Sequence, residues 1–234
     1  MSLPLLAVMP AYKPDARLPG RVEAMLSADF SGVVVVDDGS GDGSRGVFEA
    51  VERIDGCVVL RHERNLGKGT ALKTAFAHIW ETRPESAGVV TVDADGQHAP
   101  GDCRRVAEAL LADTASLVLG MRDFGLRHVP FRSWWGNNWT SVLFAALYGR
   151  RVPDTQTGLR AFARSLLPRL IAVPGSGYEY ETAVLCRAAR ARMPFTFVQI
   201  RTIYEDDNAS SHFHPLRDTL LIHRSLFTNF FSSL

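Results

Sequence analysis

Short runs of apolar, largely β-branched residues recur along this 234-residue chain: residues 5–9 (LLAVM), 33–37 (VVVVD), 57–60 (CVVL), 89–93 (VVTVD) and 116–120 (SLVLG). Runs this continuous, without polar alternation, suit strands that are covered on both faces. The stretches between them carry helical spacing over residues 18–26, 71–80 and 103–111; in the second, Ala71, Leu72, Ala75, Phe76 and Ile79 share a face. This alternation predicts an α/β fold with a Rossmann-like, mostly parallel sheet and helices on both faces. With 46% hydrophobic residues and no low-complexity linker or repeat, the chain has material for one full core.

Parallel sheets gather ligands beyond the carboxyl ends of their strands. Polar residues stand there four times in succession: Tyr12, Asp37 with Asp38, residues 65–70, and residues 93–98. In Asp93-Ala94-Asp95-Gly96-Gln97, alternate residues of an extended stretch project to one side. Asp93, Asp95 and Gln97 then form an oxygen-rich set that suits a hard divalent cation, Mg²⁺ or Mn²⁺, with positions left for a diphosphate. The plainer alternative is a solvated acidic turn before a helix capped near Pro100 and Asp102.

Asp38 is placed to accept hydrogen bonds from a base or ribose. Gly41, Gly43 and Gly46 match the dinucleotide fingerprint, but after the second strand rather than the first; an NAD(P)-dependent oxidoreductase is the alternative this match supports. Asp38, Ser40, Asp42, Gly43 and Glu49 match calcium-loop spacing, but a β-branched run precedes them where that motif needs a helix. Residues 65–70 (NLGKGT), with Lys68 in the turn, open a helix whose free N–H groups and positive dipole end suit an anion. They are not a phosphate-binding Walker loop, because Gly69 separates Lys68 from Thr70 and Glu63 stands where the first glycine belongs. An ordinary helix cap is the competing reading.

Arg122 and Arg132 offer planar paired donors to a phosphate. They flank Phe124, Phe131, Trp134, Trp135 and Trp139, which suit either a membrane interface or core packing. Asp154, Gln156 and Arg160 lie in a loop entering a strand, and Glu179 and Glu181 start a helix where acids favour the dipole. The polar stretch with Ser211, His212 and His214 reads as a closing loop or a solvated connector. Residues 215–234 mix apolar positions with Arg217, His223 and Arg224 and end in Phe227, Phe230 and Phe231, an amphipathic segment suited to a membrane surface.

A formal net charge of +1 gives no field of the kind that gathers nucleic acid. Three scattered cysteines without CxxC spacing indicate neither a disulfide framework nor a zinc knot, and a reducing, cytoplasmic setting is the default expectation. No run reaches the roughly 18 apolar residues of a spanning helix.

Taken in order, the blocks MPAY, VVVVDDGS, NLGKGTAL, TVDADGQH, GMRD, DTQTGLRAF, YEYET and SSHFHPLRD resemble family 2 glycosyltransferases of the GT-A fold, close to the dolichol- or polyprenyl-phosphate sugar transferases. The resemblance implies a GT-A domain over residues 1–214, a UDP- or GDP-linked sugar donor, and a lipid-phosphate acceptor met at the cytoplasmic face of a membrane. It implies that Pro10, Ala11, Tyr12 and Asp38 bind base and ribose, with Lys68 and Asp93 also on the donor side. Asp93, Asp95 and Gln97 correspond to the metal and diphosphate site, Arg122 and Arg132 to the acceptor phosphate, and Asp154 and Gln156 to the acceptor side of the sugar. Many relatives carry Asn-Glu after the Pro-Ala-Tyr element; Lys13-Pro14-Asp15 stand here instead, which leaves the choice of UDP or GDP open. With a hydroxyl acceptor instead, Asp154 or Glu179 would take its proton.

Overall fold

The apolar runs become strands whose order follows how deeply each is covered. The computed structural model describes residues 2–122, 131–201 and 215–231, the side chains of 131–137 and 215–217 excepted. Strands β1 (Leu3–Ala11), β2 (Phe30–Asp37), β3 (Cys57–Arg61), β4 (Gly88–Thr91), β5 (Leu117–Arg122), β6 (Arg160–Ala163) and β7 (Phe195–Ile200) form one sheet in the order β3-β2-β1-β4-β6-β5-β7. The central β1 pairs in parallel with β2 and β4, and Val33, Val34, Val35 and Val36 of β2 are buried. Strand β3 departs from two-face burial: as a sheet edge, its residues are only half-covered.

Alternation along β1 divides the core in two, because successive side chains point to opposite faces. Leu6 and Val8 pack with α3 (Lys68–Thr82) and α7 (Glu179–Arg190), through Leu72, Phe76, Ile79 and Tyr180 among others. Leu5, Ala7 and Met9 pack on the other side with α1 (Leu18–Ser27), α2 (Arg45–Glu52) and α4 (Pro100–Ala112). The expected parallel sheet with helices on both faces is therefore present.

One strand runs the other way. β6 is antiparallel to both β4 and β5, with Arg160 opposite Thr91 and Leu119. Reversal turns its entry loop, residues 152–159, toward the carboxyl edge where β4 ends, so a late part of the chain meets residues 93–98. β4 also stops at Thr91, two residues short of the expected end, which leaves Asp93 on the loop.

Helices α5 (Phe131–Tyr148) and α6 (Leu167–Ile171) complete the layers, with α8 (Pro215–Phe231) packed on α7 and α5. Ile222, Ser225, Leu226 and Asn229 of α8 are buried, and the Tyr148 hydroxyl donates to the Leu226 carbonyl at 2.8 Å. Among the described residues no helix is long and apolar enough to cross a membrane.

Candidate active site

Four strand ends and the starts of α3, α7 and α8 surround a cleft of about 570 Å³. Pro10, Ala11, Tyr12, Asp38, Lys68, Asp93 and Asp95, singled out separately in the sequence, all line it. So do Tyr178 and Glu179 ahead of and at the start of α7, and Asp218 and Leu221 of α8.

Asp38 ends β2 and already has several donors. Its Oδ1 accepts from Leu66 N at 2.9 Å and lies 2.7 Å from His62 Nδ1; its Oδ2 accepts from Gly67 N at 2.8 Å. His62 is fixed in turn by Thr74, 2.9 Å from Nε2. The Thr70 N–H donates to the Ser176 carbonyl at 3.0 Å. The expectation of a helix start with its N–H groups free for an anion is corrected here, because Asp38 and Ser176 take much of that capacity. Close approach makes this docking possible: a Cβ at Gly67, where φ is 94°, would sit 2.4 Å from the Ser176 carbonyl oxygen, and one at Gly69 2.5 Å from Tyr180 Cβ.

The side chain of Lys68 leads into the cleft floor. Its Nζ lies 2.7 Å from Asp93 Oδ1 and 2.9 Å from Glu181 Oε2, with the Tyr178 ring 5.6 Å away. Burial alone would pull the ammonium down, but the two carboxylates outweigh it and hold Lys68 above the usual lysine range. Burial likewise pushes Asp93 up, and Lys68 with His98, whose Nε2 is 3.3 Å from Oδ2, brings it well below the usual carboxylate range. Asp95 moves the opposite way: burial and the neighbouring Asp93 charge raise it. Its Oδ1 accepts from the Gln97 backbone N–H at 3.0 Å.

Two carboxylates two residues apart on one loop, both lining the cleft, suit a cation between or beside them. Among the described residues, no group of three or more His, Cys, Asp or Glu side chains forms a metal cage. A hard ion at Asp93 and Asp95 would draw its remaining ligands from substrate oxygens. The wider charge balance agrees. Among the described residues, six carboxylates line the cleft (Asp15, Asp38, Asp93, Asp95, Glu179, Asp218) against three cationic side chains (Lys13, Arg21, Lys68).

Asp15, next after Lys13-Pro14, is held by Arg17 Nη2 at 2.7 Å and Arg21 Nη1 at 3.1 Å. Arg21 also donates to the Ala94 carbonyl at 2.6 Å, joining the loop after β1 to the Asp93–Asp95 loop. On the far side, Arg122 grips Asp154 through Nε at 2.7 Å and Nη2 at 3.1 Å, and the Asp154 side chain is only 1% exposed. Asp154 also accepts from Gln156 N at 3.2 Å. This pair braces the β5 end against the 152–159 loop, and neither member is among the described residues lining the cleft. The Arg132 side chain, with Trp134 and Trp135, lies outside the described residues, as do residues 202–214 with His212 and His214.

A model of the family described as "Glycosyl transferase family 2" matches residues 6–170. The chain belongs to that family. This glycosyltransferase is 29% identical over 217 residues to the UDP-N-acetylglucosamine--dolichyl-phosphate N-acetylglucosaminyltransferase of Methanococcus voltae, covering 85% of each chain. It is 29% identical over 209 residues to the polyprenol monophosphomannose synthase of Mycolicibacterium smegmatis, over 83% of this chain and 77% of that one. Among solved structures, glucosyl-3-phosphoglycerate synthase from Mycobacterium tuberculosis, crystallised with Mn²⁺, UDP and glucosyl-3-phosphoglycerate, superposes with a TM-score of 0.73. The match covers 96% of this chain and 79% of that chain at 20% identity, and shows a shared GT-A fold.

Membership in the glycosyltransferase family removes the oxidoreductase alternative, and the glycines behind it have a local explanation. A Cβ at Gly46 would meet nothing within 4 Å, so the close helix–strand packing that the third glycine of a dinucleotide fingerprint serves is not made there. Two residues of the glycosyltransferase site escaped the sequence. Glu181 had a sufficient reason to stand at a helix start, and Gly158 looked like a turn residue; yet a Cβ at Gly158 would lie 2.2 Å from Asp93 Oδ2. Gly158→Ala is expected to push the Asp93 carboxylate off Lys68 and lower sugar transfer by roughly tenfold or more, the size of one lost charge-assisted hydrogen bond. Steady-state kinetics beside a thermal melt checks this; unchanged turnover in a folded variant contradicts it.

Proposed function

We propose that this glycosyltransferase moves a sugar from a UDP- or GDP-sugar to a polyprenyl phosphate, with inversion and with Mg²⁺ or Mn²⁺. The observation that carries the reading is the acidic cleft: among the described residues six carboxylates stand against three cationic side chains, a balance that disfavours a bare diphosphate and favours one accompanied by a divalent cation. Pro10, Ala11, Tyr12 and Asp38 hold the nucleoside end, Asp38 chiefly by fixing the turn before α3. Asp93, Asp95 and Gln97 are the residues that would hold the ion, which when bound supplies Lewis-acid stabilisation of the departing diphosphate. Lys68 adds a fixed positive charge in the same place.

The acceptor is assigned from the relatives, whose names specify dolichyl phosphate and a polyprenol product. A phosphate oxygen attacks the anomeric carbon, the bond to the diphosphate oxygen breaks, and the electron pair leaves with the nucleotide. A phosphate is already anionic near neutral pH, so positioning matters more than a general base. Arg132 is assigned to that phosphate, while Arg122, bound to Asp154, holds the end of β5 against the 152–159 loop.

Contact with a membrane is supported by α8. Leu220, Phe227 and Phe231 are 69%, 44% and 77% exposed and, at spacings of seven and four, share one stripe beside Arg224. The same helix puts Asp218 and Leu221 into the cleft, which supports a reading in which the cleft works beside a bilayer, on the cytoplasmic side.

Asp95→Ala is expected to abolish metal-dependent transfer while leaving the unfolding transition in place; near-normal turnover would defeat the metal assignment. Arg132→Ala should weaken use of polyprenyl phosphate more than it weakens hydrolysis of the donor, measured side by side with one radiolabelled donor sugar. Equal loss of both removes the acceptor role.

A further inference from the structure

Asp93 has both oxygens engaged by cationic or ring partners, Oδ1 by Lys68 at 2.7 Å and Oδ2 by His98 at 3.3 Å. A cation that uses Asp93 must therefore compete with Lys68. Glu181 sits on the other side of that ammonium, 2.9 Å from Nζ, and is 8% exposed. It is anchored: its backbone carbonyl accepts from the fully buried Arg160 at 2.6 Å, and it belongs to the first turn of α7. Its second oxygen, Oε1, is buried without a hydrogen bond, 3.9 Å from Arg160 Nε. Asp93, by contrast, lies on the loop after β4.

Resting on the metal-dependent reading above, we infer that Glu181 is a positioning residue that makes Lys68 a removable counter-ion. Lys68 neutralises Asp93 until a divalent cation and the donor diphosphate arrive. It then yields that carboxylate and turns to the diphosphate, still bonded to Glu181. Two carboxylates around one ammonium make the exchange feasible. Had Lys68 only Asp93, release would strand a charge in a poorly hydrated site, and that penalty is steep. Tethered to the rigid α7, the ammonium keeps one partner throughout and moves only between Asp93 and the incoming anion.

The test measures Mn²⁺ binding by electron paramagnetic resonance, without nucleotide and with UDP or GDP, on the parent, Lys68→Met and the near-isosteric Glu181→Gln, with thermal melts beside each. Lys68→Met should bind Mn²⁺ alone roughly tenfold tighter, because nothing competes for Asp93, and bind the nucleotide–Mn²⁺ pair roughly tenfold weaker. Glu181→Gln separates positioning from simple charge. Removing a negative charge would by itself tighten diphosphate binding, whereas loss of the tether should weaken nucleotide–Mn²⁺ binding several-fold. Tighter or unchanged nucleotide–Mn²⁺ binding in Glu181→Gln overturns the inference, as does unchanged or weaker Mn²⁺ binding in folded Lys68→Met. A parent that takes up no Mn²⁺ with either nucleotide overturns the metal reading and this inference together; one that binds Mn²⁺ while the variants fail these expectations leaves the metal reading standing and removes the Lys68–Glu181 role alone.

Discussion

The ion triad of Lys68, Asp93 and Glu181 joins three separate parts of the chain: the start of α3, the loop after β4 and the start of α7. These largely covered charges at the cleft floor are stabilised because each has its partner, and removal of one leaves another without its counter-ion. Much of the surrounding backbone serves to bring them together. Gly67 and Gly69 let α3 press against residues 176–180, and Gly158 lets the β6 entry loop press against Asp93. Arg160, with its guanidinium spread over the carbonyls of Thr155, Thr157 and Glu181, ties that loop to α7.

The reversal of β6 is what makes this arrangement possible. A parallel strand in that position would leave its entry loop at the opposite edge, away from Asp93 and Lys68. The cleft consequently has two origins. One wall comes from the ends of β1, β2 and β4, inside the stretch matched by the family model, whereas Tyr178, Glu179, Asp218 and Leu221 lie beyond residue 170.

Much of this was legible in the sequence, for reasons that are physical. A run such as Val33 to Val36 has few homes other than a buried strand, and strand ends announce themselves by the acid or aromatic that follows, as at Tyr12, Asp38 and Asp93. What stayed hidden depends on long-range partners. β6 is four residues long, too short for periodicity to declare its direction. Glu181 sits where an acid is already favoured by the helix dipole, so its pairing with Lys68 left no trace. Asp154 looked like a cleft residue; its burial against Arg122, 32 positions earlier, required the fold to be known. The N–H groups before α3 looked open because their acceptor, Asp38, is 28 residues away from Leu66.

The central claim is that an acidic cleft admits a nucleoside diphosphate only in company with a divalent cation. Isothermal calorimetry with UDP and with GDP, each in Mn²⁺ and in a chelator, tests it directly. The account predicts measurable binding of at least one nucleotide with Mn²⁺ and a loss of roughly tenfold or more in affinity with the chelator. Equal binding in both conditions would contradict it.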